Sequence, residues 1–150
     1  MIGRTLGGAT TSVMQGLIVA VACIIVGFRP QSVTAIAGGL MFMVLIAVMF
    51  TALGTAVASM LSDFQGFQMI MSFLVMPIFF LSGALFPLTG LPRGLDLVAR
   101  IDPLSYGVDG LRGSMTGVSH FGVSTDLTVL AVITFAILLV GARLFSKIQI

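Results

Sequence analysis

Charge is what this 150-residue sequence has least of: only 8% of its residues are charged, and it contains neither glutamate nor tryptophan. Soluble domains carry roughly 25% charged residues. Hydrophobic residues make up 58% of the chain, and the mean hydropathy is +1.20. This composition excludes an ordinary soluble domain and predicts a membrane protein in contact with the lipid bilayer.

The same scarcity excludes several kinds of site. The net charge of +2 leaves too few cations for the basic stripe of a nucleic-acid-binding surface. Cys23 and His120 are the only residues of their types, so neither an internal disulfide nor a metal-ligand set is expected. Lys147 is the only lysine, and no G-x-x-x-x-G-K-[ST] motif for nucleotide phosphates occurs. We therefore expect no nucleic-acid partner and no cofactor bound by this chain.

Four apolar stretches are long enough to cross a bilayer core, which takes about 20 helical residues. They cover about 11–28, 33–61, 66–86 and 126–145, and the uncharged part of the fourth begins at Leu127. Arg29-Pro30 ends the first stretch, and Arg143 and Lys147 hold the end of the fourth at the lipid headgroups. We predict an all-α, polytopic fold that forms a single transmembrane domain over 1–150. The basic residues do not settle its orientation.

The segment over about 87–120 differs from a short connecting turn. It carries six charges between Arg93 and Arg112, and six charges at mid-bilayer would cost about 15–20 kcal/mol. Apolar residues nevertheless recur there at helical spacing, in two stripes separated by Pro103: Leu91, Leu95, Val98 and Ile101, then Leu104, Val108, Leu111 and Met115. We predict a pair of short amphipathic or re-entrant helices, which forms either an interfacial seal or a gate over a pathway.

A series of short motifs lies in and just before this segment: Leu81-Ser82-Gly83, Phe86-Pro87, Leu91-Pro92, Pro103-Leu104, Tyr106 and Leu111-Arg112. This series resembles the signature region of type 2 ABC transporter permeases, the membrane subunits related to drug-resistance exporters, with Asp102 in place of the usual Asn. The resemblance covers the whole chain, but the family subunit usually has six spans. The sequence is therefore interpreted as the C-terminal four-span portion, either a fragment of a longer subunit or a chain with a misassigned start.

The resemblance implies a transport subunit and not an enzyme. A separate ABC ATP-binding subunit would bind ATP and Mg and drive alternating access in a homodimer or heterodimer of permeases, with multidrug export as one family activity. Family topology would place both termini in the cytoplasm of a multi-pass cell-membrane protein. The helical pair would then be an external gate segment containing Pro87, Pro92, Pro103, Tyr106 and Arg112. The candidate contact with the ATPase subunit is Asp63, Phe64 and Gln65, with an ordinary turn as the alternative.

Polar residues form a stripe on each of two spans. Thr51, Thr55 and Ser59 share a face of the second span, and Gln68 and Ser72 share a face of the third. These stripes either line a transport pathway or bond between packed helices. The alternative functions are a self-sufficient channel, an ion-coupled carrier or an inactive fragment of a longer permease. With the fourth span taken from Leu127, the spans contain no ionisable residue, which argues against the carrier.

Overall fold

A computed structural model of the chain describes residues 2–61, 63–85 and 92–146. These residues form six helices and no strand: α1 (Ile2–Val26), α2 (Val33–Ala58), α3 (Phe64–Leu81), α4 (Arg93–Ile101), α5 (Pro103–Thr116) and α6 (Val123–Ser146). Four of them, α1, α2, α3 and α6, are long and apolar enough to cross a membrane. The prediction of an all-α membrane fold with two short helices between the third and fourth spans is confirmed.

The helix boundaries differ from the predicted spans at the charged ends. α1 begins at Ile2 instead of near residue 11, and α6 begins at Val123 instead of near residue 126. A search for charge-free runs finds only the part of a helix that lies in hydrocarbon, whereas a helix can continue through charged residues at the headgroups. α3 ends at Leu81, and Gly83 with φ +77° turns the chain away.

Side chains of short polar residues fix where three helices begin. The Oγ of Ser32 accepts from the amide of Ala35 at 3.1 Å, and Asp102 Oδ1 accepts from the amide of Leu104 at 2.9 Å. Asp63 caps α3 in the same way. Each cap satisfies an amide that has no partner within its helix. The caps at Ser32, Asp63 and Asp102 therefore set the starts of α2, α3 and α5.

The core forms where α2 packs against α5 and α6, and α1 also packs on α2. Phe42 and Met49 of α2 and Leu130 of α6 are almost fully buried at its centre. α1 runs antiparallel to α2, since Gly8 lies against Thr51 and Gly16 lies against Met43. α3 is peripheral, with none of its described residues buried, and its Met71 side chain reaches the position of Gly54. The bundle is thus a compact α2–α5–α6 unit with α1 and α3 on its outside.

Glycines on one face of α5 allow this close packing. A Cβ at Gly107 would lie 2.7 Å from Cγ1 of Ile46, and the ring of Phe42 lies directly against Gly110. The predicted apolar stripe of α5 is only half-buried, whereas its buried residues are Ser105, Gly107, Asp109, Gly110 and Gly113. The apolar stripe of α5 is therefore not the face that this helix buries against the bundle. Because glycine has no side chain, this face of α5 leaves room for the large side chains of α2.

Candidate functional site

Tyr106 joins the two short helices, which together we call the outer helical pair (α4 and α5). Its hydroxyl donates to the carbonyl oxygen of Arg100 at 2.7 Å, and its ring packs on Phe121 with centroids 4.9 Å apart. The Arg100 guanidinium lies 5.8 Å from the same Phe121 ring centroid and pairs with Asp96 at 2.9 Å. These contacts hold α4, α5 and the turn that follows α5 as one unit.

Arg112 connects the outer helical pair to the end of α3. Its Nη2 donates to the carbonyl oxygen of Gly83 at 2.8 Å. The neighbouring Ser82 is fully buried, donates from Oγ to Phe79 O at 2.8 Å and accepts from the amide of Ala84 at 3.3 Å. The turn after α3 is therefore held in a defined conformation against α5.

Asp102 sits at the junction between α4 and α5. Pro103 occupies the first turn of α5, where no amide donor is needed. Only 6% of Asp102 is exposed, and its Oδ2 is buried without a hydrogen-bond partner in the part of the chain that the structure describes. Burial raises the pKa of this carboxyl from 3.8 to about 6, although the Leu104 amide acts in the opposite direction. Near neutral pH, the Asp102 carboxyl is therefore mainly ionised, and its buried charge destabilises the fold.

Four of the five predicted gate residues belong to this unit. The Pro92 carbonyl accepts from the amides of Leu95 and Asp96 at 2.9 and 3.1 Å, so it begins α4. Pro103 begins α5, and Tyr106 and Arg112 make the contacts described above. Pro87 lies outside the described residues. The structure brings the other four together, and their role as a gate stays a prediction.

A groove of about 440 Å³ runs along α3 and is almost wholly apolar. We call it the α3 groove, and it is lined by Phe64, Phe67, Gln68, Met71, Ser72, Val75, Met76 and Phe79. Gln68 and Ser72, both predicted pathway residues, supply its polar part. Flexible methionines beside aromatic rings can accommodate apolar molecules of different shapes.

The predicted pathway residues of α2 lie elsewhere. Thr51 and Thr55 line a separate cavity of about 430 Å³ together with Arg4. The Thr55 hydroxyl donates to Thr51 O at 2.7 Å, and the Ser59 hydroxyl donates to Ala56 O at 2.6 Å. The structure thus divides the two predicted stripes between two cavities. The hydroxyls of Thr55 and Ser59 bond within their own helix.

The turn between α2 and α3 contains the candidate contact for an ATPase subunit. Asp63 accepts from the amides of Gln65 and Gly66 at 3.2 and 2.8 Å, which makes it a helix cap. Phe64 is 76% exposed, and Gln65 is also exposed. The turn therefore presents an aromatic ring beside a carboxylate. Binding of an ATPase subunit at this turn stays a prediction.

The family follows from comparison with known sequences. Residues 1–116 match the model of the ABC-2 type transporter family. The chain belongs to this family. The predicted resemblance to type 2 ABC permeases is confirmed.

Individual relatives of this ABC-2 chain are distant but match most of its length. Nodulation protein J of Rhizobium leguminosarum bv. viciae is 24% identical over 147 residues, covering 98% of this chain and 56% of the relative. Inner membrane transport permease YadH of Escherichia coli K12 is 26% identical over 142 residues, covering 94% and 54%. The chain spans about half the length of the curated relatives it matches. No solved structure matches it.

Two buried carboxyls of the ABC-2 chain were not predicted as functional residues. Asp126 is fully buried in the first turn of α6, and Asp109 of α5 is 3% exposed. The fourth candidate span starts at Val123, so the expectation that no span contains an ionisable residue was wrong. Asp126 directly precedes Leu127, where the uncharged run of the fourth span begins, and so was not counted within that run. One feature of the sequence could have identified Asp126: it lies in the first turn of a helix that begins after Gly122.

Proposed function

We propose that this chain is the permease part of an ATP-driven ABC exporter, powered by a separate ATP-binding subunit. The observation that carries the proposal is the family match over residues 1–116. The sequence itself has no phosphate-binding loop, so another polypeptide would supply the energy. Two permease copies would alternate between inward-open and outward-open states in the cell membrane, with both termini in the cytoplasm.

The α3 groove is the proposed part of the transport pathway. α3 packs loosely on the bundle, and its Phe73 and Met69 side chains are 77% and 66% exposed. A helix with so few contacts can move relative to α2 without breaking a packed core. The apolar lining with Gln68 and Ser72 fits a mainly apolar substrate that carries one or two hydrogen-bonding groups.

The outer helical pair is the proposed gate. Because Arg112 bonds to Gly83 at the end of α3, movement of α3 would be transmitted directly to α5. α5 in turn is tied to α4 through Tyr106 and Arg100. A hydrogen-bonded unit of this kind can open or close as one body, whereas a flexible loop could not transmit the movement.

Assembly with the ATPase subunit provides the first test. We expect the full-length protein, expressed with its candidate ATPase subunit, to co-purify in mild detergent. Phe64→Ala should reduce the recovered ATPase several-fold, because the exposed ring of Phe64 would lose its contact. Phe73→Ala is the matched control, since Phe73 is equally exposed but lies in mid-span. Equal recovery with both variants would exclude the turn as the contact, and absence of any ATPase would contradict the proposed function.

Access to the α3 groove provides a test that needs no known substrate. In a Cys23→Ser background, Ser72→Cys should react with a water-soluble maleimide at a rate that changes when ATP is added. Ser72 lines the groove, whereas its neighbour Phe73 does not belong to the lining. Phe73→Cys should therefore react slowly with or without ATP. The pathway assignment fails if the two cysteines behave alike.

A further inference from the structure

Two buried carboxyls face one another between α5 and α6. The helices run antiparallel here, since a Cβ at Gly107 would lie 3.7 Å from Leu130 and one at Gly113 would lie 2.9 Å from Val123. These two contacts bracket Asp109 on α5 and Asp126 on α6. The carboxyls are consequently adjacent, close enough to interact directly.

The two carboxyls differ in how their oxygens are satisfied. Oδ2 of Asp109 accepts from the amides of His120 and Phe121 at 2.7 and 2.8 Å. Asp126 is 0% exposed, and neither of its oxygens has a hydrogen-bond partner among the described residues. Buried polar atoms in folded proteins almost always have a partner. The two carboxyl oxygens of Asp126 therefore require a bound proton or another ligand to satisfy them.

No cation among the described residues faces the pair. α2, which packs on both helices, contains no charged residue. Arg112 of α5 directs its guanidinium to Gly83, and the His120 ring lies 4.0 Å from Asp96 of α4. Arg100 pairs with that same Asp96, and Arg143 lies at the opposite end of α6. Among the described residues, no group of three or more His, Cys, Asp or Glu side chains is arranged to hold a metal ion.

Two adjacent carboxylates in a water-excluded interface repel each other and lose their hydration. Binding a single proton removes the repulsion and one of the two buried charges, and the protonated carboxyl can donate its O–H to the remaining carboxylate. We propose that Asp109 and Asp126 form a proton-binding site that shares one proton between the two carboxyls and thereby fastens the start of α6 to α5. This inference does not depend on an ATP-driven mechanism.

The site is connected to the outer helical pair. Asp109 holds the amide of Phe121, and the Phe121 ring packs on Tyr106. Loss of the shared proton would set two charges against each other and release α6 from the turn that supports Tyr106. The bound proton therefore acts as a latch on the outer helical pair. This latch responds to the pH on the side of the membrane where the outer helical pair lies.

Infrared spectroscopy of the full-length protein in lipid nanodiscs tests the site directly. A protonated carboxyl gives a C=O stretching band that shifts in heavy water, and ionised carboxylates do not. The spectra are compared in an Asp102→Asn background, because the raised pKa of Asp102, about 6, leaves a small fraction of its carboxyl protonated at neutral pH. We expect Asp126→Asn to remove one carboxyl equivalent of this band at neutral pH. Asp63→Asn is the control and should leave the band unchanged, since Asp63 caps an exposed turn.

Two further variants keep the test decisive. Asp109→Asn should shift the frequency of the band without removing it, because buried Asp126 would keep its proton but lose the Asp109 carboxylate as hydrogen-bond acceptor. If the buried side-chain amide of Asp126→Asn disrupts folding, Asp126→Leu replaces it in the same measurement. The proposal is overturned if none of these variants changes the band. It is also overturned if adding sodium at constant pH abolishes the band, since the site would then bind a metal cation in preference to a proton.

Discussion

Arg112 donates a hydrogen bond of 2.8 Å to the carbonyl oxygen of Gly83, a residue 29 positions earlier in the chain. Gly83 adopts φ +77°, a left-handed conformation that glycine reaches at no steric cost. This conformation turns the chain after α3 towards α5. Two separate parts of the family pattern, the Leu-Ser-Gly run and the Leu-Arg pair, are thus the two sides of one contact.

Removing that contact should destabilise the fold. Arg112→Gln cannot replace a charged guanidinium donor, and loss of a part-buried, charge-assisted hydrogen bond costs about 1–3 kcal/mol. Thermal unfolding in detergent measures the change. Arg100→Gln is the control, since the Arg100 side chain is 55% exposed and an exposed ion pair is worth about 0–1 kcal/mol. Equal losses in the two variants would refute a special role for Arg112.

The sequence predicted those features that depend on local pattern. Apolar length predicts four spans, and Pro103 with its flanking charges predicts a break between two short helices. The buried face of α5 could not be predicted in this way, because it depends on Phe42 and Ile46 of a distant helix approaching glycines. The burial of Asp126 likewise results from its position opposite Asp109, which only the packing of α5 on α6 determines.

The glycine face of α5 leads to a prediction about packing. Gly110→Ala would place a methyl group inside the space that the Phe42 ring occupies. Phe42 is fully buried and cannot move away, so we expect a loss of about 1–3 kcal/mol from overpacking. Gly94→Ala in α4 is the matched control, because nothing lies within 4 Å of the added methyl. Helix propensity predicts a gain of about 0.5–1 kcal/mol there. A neutral Gly110→Ala would contradict the packing described here.

Asp102 predicts how stability depends on pH. Its pKa is raised by burial from 3.8 to about 6, so proton binding favours the folded state. That contribution is fully present below about pH 4 and is lost as the pH rises through about 6. Asp102→Asn should remove this pH dependence and raise stability at neutral pH by up to about 3 kcal/mol. Unfolding of both proteins across this range isolates Asp102, and a variant less stable than wild type at neutral pH would show that the charge is needed.

Tyr106 combines a hydrogen bond and an aromatic contact, which two substitutions separate. Tyr106→Phe removes only the bond to Arg100 O and should cost about 0.5–1.5 kcal/mol. Tyr106→Ala also removes the packing on Phe121, and aromatic pairs contribute a further 0.5–1.5 kcal/mol or so beyond their buried area. Unfolding measurements should therefore show that wild type is more stable than Tyr106→Phe and that Tyr106→Phe is more stable than Tyr106→Ala. If the Phe variant is as unstable as the Ala variant, the aromatic contact contributes nothing.

Asp63 has a structural role as a helix cap and a proposed role in partner binding, and two substitutions distinguish them. Asp63→Asn keeps an oxygen that can accept from the amide of Gly66, so stability should change by only about 0.5 kcal/mol. Asp63→Ala removes the cap and should cost about 1 kcal/mol. If the carboxylate binds the ATPase subunit, both variants should lose co-purified ATPase although only Asp63→Ala loses stability. Full recovery of the ATPase with Asp63→Asn would mean that the charge of Asp63 is not part of the contact, which would then depend on the exposed ring of Phe64.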